Sequence, residues 1–557
     1  MRRLLTFGKL VANAAASALL LPVFLLPIVF GVNPEFSPGF GDLLSAWGIL
    51  ALGFGPIVIL SLPIALTCVR FFAARSLQIG WFHLKATVWF LVTAAAGVLG
   101  LYAWNLARLG EILGARGRLR LIAGLVIVLV AWLAAVLLAG RAQWVTGRAR
   151  EIRLWLAAGI LAGSAPLSLA TVLISGPAVA PVPATVPEVE GRSGPVVLLA
   201  IEGASFAAIL PLASEGKLPN FARMLKEGSR GPLRTVRPCR SAVAWASLAT
   251  GKLPARHGIK DLKRYRLGSI PGELRLLPEG LLLRRWLAPL GLTGRSSGES
   301  DLRARPLWTI LDLLRVEAVF LGWPLETGGR QRGLEEESGD RLGRTKEWLS
   351  RIAGGSALTV AQDRGLTDAI RADLAVHETA LRVLWSPARP RLLAAYLPGM
   401  GAVGTTFPHL AHPGKMGVVP QEDVERYSRI TDRYYELLDQ IVGQIRGALP
   451  AEGYLLIVSP YGTEPLGIFD RLARAAGGLR ATSGGHDDGP AGILMLAGSG
   501  VAPGKQLDDL KLTDVVPLTL YFLGLPVGYD MDGRLPKRLF GRAYLEAYPI
   551  TFIPTYG

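Results

Sequence analysis

Five long apolar runs fill the first third of the chain, at about residues 11–32, 44–69, 85–105, 121–139 and 153–175. Each approaches the roughly 20 residues that a helix needs to cross a bilayer. Five in succession predict a membrane domain of about five transmembrane helices over 1–176, rather than buried core helices. The third run carries Trp89, Tyr102 and Trp104, which suit the membrane–water interface. The first run is longer than the apolar part of a cleavable leader, and its small-residue stretch ANAAASA precedes the most apolar segment. It therefore reads as a retained helix.

After residue 176 the pattern changes. Residues 177–195 are rich in Pro, Val and small residues and read as an extended, semi-stiff linker. Short all-apolar runs then appear at 196–201, 318–324, 391–398, 454–460 and 492–500. Such runs suit parallel strands covered on both faces. Helical spacing lies between them at 218–228, 307–316 and 424–449. Alternating strands and helices predict an α/β domain with a mainly parallel sheet over 196–557. The basic, Leu-rich stretch 262–300 has no clear period; it reads as an insertion folding over the sheet, with a position near the membrane surface as the alternative.

Composition sharpens the membrane reading. Half of the 557 residues are hydrophobic and the net charge is +17, of which +10 falls in residues 1–180. Basic loops beside membrane helices set orientation and meet anionic head groups, so nucleic acid is not needed to explain the charge. Arg2, Arg3, Lys9, Arg70, Arg75, Lys85, Arg141, Arg148, Arg150 and Arg153 favour a cytoplasmic N-terminus. Arg108, Arg116, Arg118 and Arg120 disagree, because that orientation puts their loop outside. Five crossings would place the later domain on the outer side of the cytoplasmic membrane. The two cysteines, Cys68 and Cys239, fall in different domains and predict no internal disulfide.

In a parallel α/β sheet, ligands gather at the carboxyl ends of the strands. Glu202 directly follows the first strand. Ser241 opens a small-residue helix, AVAWASLATG, and by residue type alone reads as its N-cap. A hydroxyl at a helix N-terminus is also a nucleophile position. His257, in a turn after a helix, reads as structural, and Cys239 as a poor nucleophile candidate.

The stretches IEGASFAAILPLASEGKLPNFARMLKEGSRGPL and AWASLATGKLPARHGI resemble the alkaline phosphatase superfamily, in its type I phosphodiesterase/nucleotide pyrophosphatase branch. The later segments LWTILDLLRVEAVFLGWP, GGHDDGPAGILMLAGSGVAPG and LTDVVPLTLYFLGLPVGYDMDGRLPKRLF extend the resemblance over about 195–540. It implies an alkaline phosphatase-like fold and two divalent metals, usually zinc, that activate a Ser or Thr nucleophile. The nucleophile would be Ser241. The first-strand carboxylate would be Glu202, where the family's pattern has Asp. The next Asp and His of the pattern fall on Gly401 and Thr405, and those of its SDHG motif on Pro460 and Tyr461. The last His falls on His486 and is retained.

Gly and Pro offer no ligating side chain, and Thr and neutral Tyr are poor zinc ligands. The resemblance thus leads to a phosphodiesterase-like pseudoenzyme, a membrane-anchored binding or assembly subunit with no cofactor. The alternative is an active metal-dependent phosphodiesterase, phosphatase or head-group transferase rebuilt around Ser241 and His486. It would recruit His409, His412 and Asp487 to hold zinc or another divalent ion. The expected partners are the lipid bilayer and a membrane protein bound through the helices, with no nucleic acid.

Overall fold

The computed structural model describes residues 2–72, 84–173, 194–268, 270–281, 283, 287–325, 339–353, 358, 360–407, 421–465, 484–485 and 489–557. The chain divides into two units, one of which gathers the N-terminal helices together with residues 263–296.

The helical unit contains α1 (Arg2–Gly31), α2 (Phe40–Phe72), α3 (Leu84–Arg141) and α4 (Arg148–Leu173). Among the described residues, these four helices are long and apolar enough to cross a membrane. At 58 residues, α3 would reach about 87 Å if straight. It folds back instead at Gly114, whose φ of 69° and ψ of −178° break the helical path. Glycine enters that left-handed region without a Cβ penalty. Trp132 Nε1 donates to Val92 O at 3.0 Å, although the two are 40 residues apart. A Cβ on Gly124 would meet the Tyr102 hydroxyl at 2.5 Å, so the legs pack closely there. The sequence runs 85–105 and 121–139 are the two legs of this one helical hairpin. Four helices therefore supply five apolar legs.

The second unit begins with β1 (Val196–Ile201), α5 (Phe206–Ser214), α6 (Pro219–Glu227), β2 (Ser229–Arg234), α7 (Ser241–Thr250) and α8 (Pro254–His257). The chain then leaves for the helical unit through β3 (Lys263–Leu267) and β4 (Leu292–Ser296). It continues through α9 (Leu307–Leu313), β5 (Ala318–Leu321), α10 (Gly339–Ala353), α11 (Val360–Trp385), β6 (Leu392–Leu397), α12 (Gly399–Thr406) and α13 (Gln421–Ala448). The last elements used below are β7 (Tyr454–Tyr461), β8 (Glu464–Pro465), β9 (Gly484–Gly485), β10 (Ala491–Ala497), β11 (Leu510–Lys511) and α14 (Val515–Phe522).

Seven strands form the sheet in the order β11-β2-β10-β7-β1-β6-β5. Only β10 runs antiparallel to its neighbours, so the sheet is mainly parallel, as its apolar strands predict. All six residues of β1 are buried. Val196, Leu198 and Ala200 face a core containing Trp245 and Trp308, while Val197, Leu199 and Ile201 face Phe221 and Leu374. Helices on both faces explain why no polar alternation is visible in the central strands. The strand β2, SRGPLR, escapes the sequence pattern because Gly and Pro interrupt it. A Cβ on Gly231 would meet Leu507 O at 2.1 Å, so close backbone approach selects glycine there.

The expectation that 262–300 folds over the sheet is corrected, since 263–296 packs in the helical unit. β3 and β4 pair antiparallel. Between them, two buried asparagines of the helical unit grip the backbone. Asn33 Nδ2 donates to Leu276 O at 2.8 Å, and its Oδ1 accepts from Arg275 N and Leu276 N. Asn105 Nδ2 donates to Glu279 O at 3.1 Å, and its Oδ1 accepts from Glu279 N at 2.8 Å. Leu274, Leu276, Leu277, Leu281 and Leu283 are buried. The segment is held through its main chain by side-chain amides, which needs no periodic side-chain pattern.

Candidate functional site

β1 lies between β6 and β7, with Ala200 opposite both Tyr396 and Val458. Parallel register brings the carboxyl ends of the three strands together. Glu202 leaves β1 here, its N–H bonded to Leu397 O at 3.0 Å. Its partly buried carboxylate is surrounded by hydroxyls. Ser241 Oγ donates to Oε1 at 3.1 Å. Tyr461 Oη also donates to Oε1, and Tyr396 Oη donates to Oε2. Three donors from α7, β7 and β6 thus converge on one carboxylate.

Burial, followed by the adjacent Glu202 charge, pushes the Tyr461 and Tyr396 hydroxyls far above their ordinary range. Both phenols are neutral donors at any physiological pH. The Tyr396 ring stands edge-on to Trp245 at 5.0 Å, and Trp245 meets Trp323 at 5.8 Å. These contacts fix the direction of the Tyr396 hydroxyl.

The neighbouring glycines belong to the same arrangement. A Cβ on Gly401 would lie 2.7 Å from Glu202 Cγ, and one on Gly203 would lie 3.1 Å from the Gly401 Cα. The space that a side chain at 401 would use is filled by the longer carboxylate at 202. Thr405 turns back on its own helix, its Oγ1 bonding Gly401 O at 3.1 Å and Ala402 O at 3.0 Å. Pro460 lies beyond the last β1–β7 pair and between the paired residues Ser459 and Tyr461 of β7. No ladder hydrogen bond is needed from it there, which makes proline tolerable.

Ser241 is the first residue of α7 rather than its cap; Arg240 holds the cap position without a side-chain capping bond. The N-cap reading is corrected, because the hydroxyl is turned toward Glu202. His257 is fully buried, and that burial pushes its imidazole down to about 3, so the ring is neutral. Its Nε2 meets Ser247 Oγ at 3.0 Å and its Nδ1 accepts from Ile259 N at 3.2 Å, which is a structural arrangement. Cys239 is buried.

The protein-family comparison decides the assignment: the description "type I phosphodiesterase / nucleotide pyrophosphatase" matches residues 196–505. The chain belongs to this family. Among solved structures, murine ectonucleotide pyrophosphatase/phosphodiesterase 5 aligns at 11% identity over 62% of this chain and 100% of its own, with TM-score 0.37. The human protein of that name aligns at 12% identity over 62% and 100%, with TM-score 0.38. A further murine structure, described as inactive and in complex with AMP, aligns at 10% identity over 63% and 100%, with TM-score 0.37. A comparison with curated proteins finds no match.

Two-metal phosphodiesterase chemistry asks for carboxylates and imidazoles around the nucleophile. In this family member the structure brings together Glu202, Ser241, Gly401 and Tyr461 at the strand ends, while Thr405 bonds its own helix. Only Glu202 among them is a strong metal ligand, and its oxygens already accept three hydroxyls. Among the described residues, no three His, Cys, Asp or Glu side chains group as a metal site would require. By residue type, the described side chains at these strand ends offer one carboxylate, Glu202, where two-metal chemistry asks for several carboxylates and imidazoles. His486, His409, His412 and Asp487 lie outside the described residues.

Two buried residues that sequence reasoning missed support the site from below. Asp373 Oδ1 accepts from Gly399 N at 2.9 Å, at the start of α12, and its Oδ2 accepts from Tyr434 Oη at 2.8 Å. Burial, opposed by those bonds and aided by the Glu202 charge, pushes its carboxyl up to about 7. Asp373 sits in the middle of the amphipathic helix α11, where nothing in sequence separates it from solvent-facing acids.

Proposed function

We propose that this family member is a membrane-anchored, extracytoplasmic pseudoenzyme that acts as a binding or assembly subunit. The observation carrying this reading is the Glu202 carboxylate, whose oxygens accept Ser241, Tyr461 and Tyr396 hydroxyls. In this reading the partly buried carboxylate, holding no cation, relies on other donors, and these supply them. In this proposal the strand ends hold a ligand, with Ser241 at a helix N-terminus.

A second reading is favoured by one distance. Ser241 Oγ is 3.1 Å from a carboxylate oxygen, so a base stands beside the nucleophile position. An active hydrolase or head-group transferase rebuilt around Ser241 and His486, with zinc or another divalent ion, would use it. The test is metal content of the purified full chain together with phosphodiester turnover. Stoichiometric zinc or manganese, with turnover abolished by Ser241→Ala, refutes the pseudoenzyme. Absence of both refutes the rebuilt enzyme.

The outer-side placement rests on the helix count. With the N-terminus inside and α3 folded back at Gly114, α4 is the fifth crossing and ends outside. The 263–296 insertion supports the same side. It docks near Asn33 and Asn105, toward the end where α1 finishes and α3 bends. This proposal keeps the limits 1–176, 177–195 and 196–557 and assigns 263–296 to the helical unit. A reporter after residue 180 should appear outside the cytoplasm. The extra spans also serve a partner membrane protein in this proposal, and co-purification from mild detergent is its check.

A further inference from the structure

The second leg of α3 presents Leu119, Ile122, Val126, Val130, Leu133 and Leu137, all between 43% and 67% exposed. At about 100° per residue these positions lie within about 45° of one direction along the leg. From 119 to 137 the stripe is about 27 Å long, close to the roughly 30 Å hydrocarbon thickness of a bilayer. Arg116 and Arg118 lie at its head, just after the Gly114 bend, and both are exposed. On the same helical wheel they fall about 80° to either side of the stripe. Among the described residues neither has an acidic partner within ion-pair range; Arg118 Nε only approaches Gly114 O at 3.4 Å. Arg108, on the first leg, instead pairs with Glu279 at 3.6 Å. Arg108 also stacks on the Trp104 ring at 5.9 Å, and half-exposed Trp104 marks an interface level.

We propose that Arg116 and Arg118 form a binding site for the phosphate of one anionic phospholipid whose acyl chains lie along the Leu119–Leu137 stripe. The argument is charge complementarity joined to an apolar face of bilayer length. Two arginines flank the line that a lipid must follow, and guanidinium groups suit phosphate oxygens. The site also accounts for basic residues in a loop where the orientation rule disfavours them. The zwitterionic alternative is weaker, since its phosphate carries its own cation. This inference rests on the membrane reading of the helices.

The experiment uses the full chain in detergent. Resistance of membranes to carbonate extraction is measured first, for wild type and variants; release of the wild-type chain would refute the membrane reading itself. Thermal midpoints are then compared with added phosphatidylglycerol, phosphatidylcholine or inorganic phosphate. The expected result is a rise with phosphatidylglycerol that becomes at least roughly twofold smaller in Arg116→Gln/Arg118→Gln. The control Arg148→Gln/Arg150→Gln, exposed at the start of α4, should keep the larger share of the rise. Native mass spectrometry should show one fewer retained phosphatidylglycerol in the first variant. An equal rise in that variant, an equal loss in the control, or the same rise with phosphatidylcholine or inorganic phosphate overturns the site.

Discussion

Replacing Gly401 by alanine tests whether Glu202 and Gly401 are mutually adapted. The new Cβ would stand 2.7 Å from Glu202 Cγ, 3.0 Å from Cδ and 3.2 Å from Cβ. Gly401 is inside α12 and is not among the residues with positive φ. In open space, alanine there would gain about 0.5–1 kcal/mol from helix propensity. The clash opposes this, at about 1–3 kcal/mol for overpacking. Moving Glu202 also loosens hydrogen bonds to a charged group, each worth about 1.5–3 kcal/mol when fully lost. The net expectation is a destabilisation of about 2 kcal/mol. In a Glu202→Ala background, Cγ and Cδ are gone and Gly401→Ala should be neutral or slightly stabilising. The coupling between the two positions should therefore be about 2–3 kcal/mol, at the upper end for contacting residues. The assay is the thermal midpoint of the four full-length proteins in one detergent, where 2 kcal/mol corresponds to a few degrees or less at this size. Hydrogen exchange at β1 and α12 amides gives the local value. If Gly401→Ala lowers stability equally in both backgrounds, Glu202 is not what excludes a side chain at 401.

Tyr461→Phe removes a buried donor to Glu202 and should cost about 1.5–3 kcal/mol, read as a lowered midpoint; an unchanged midpoint would mean that the hydroxyl is not stabilising the carboxylate. Asp373→Asn tests the buried acid, whose folded value near 7 exceeds the ordinary carboxylate value. Because the folded state binds this proton more tightly, its stabilisation is complete below about pH 4 and is lost as pH rises through about 7. The wild-type midpoint should fall relative to the variant as pH rises from about 4 to about 7, with an upper limit on the order of 4 kcal/mol; parallel profiles would contradict the assignment. Asn33→Ala removes the acceptor for Arg275 N and Leu276 N. Trypsin should then cut after Arg275 faster than in wild type, as mass spectrometry of the fragments would show, and unchanged cleavage would argue against the amide grip.

The strands and apolar legs were legible because burial on both faces, or in lipid, leaves a long signature in residue type. The five strand expectations at 196–201, 318–324, 391–398, 454–460 and 492–500 coincide with β1, β5, β6, β7 and β10. The fold-back at Gly114 was legible only as a gap between two apolar runs. The docking of 263–296 was not legible, since its recognition elements are Asn33 and Asn105, more than 170 residues away in sequence. The positions around Glu202 were found through the family's motifs. Their hydrogen-bonding roles were not, because a Tyr at the end of a strand reads the same whether it packs or donates. Ser241 shows the limit clearly: capping and donation to a carboxylate ask for the same residue type at the same helix end.

On the pseudoenzyme proposal, the strand-end residues Glu202, Tyr396, Gly401 and Tyr461 act as one coupled arrangement. Removing cations from a partly buried carboxylate leaves an acceptor that must be satisfied or abandoned. Here the Glu202 carboxylate is met by Ser241, Tyr396 and Tyr461. Its side chain occupies the room beside residue 401, which is then confined to glycine. Phenol hydroxyls at 396 and 461 donate to Glu202 without carrying charge. A single reversion, such as an imidazole at 461, would remove one donor while the steric block at 401 remained. On the pseudoenzyme proposal, this coupled arrangement would resist piecemeal return to a metal centre.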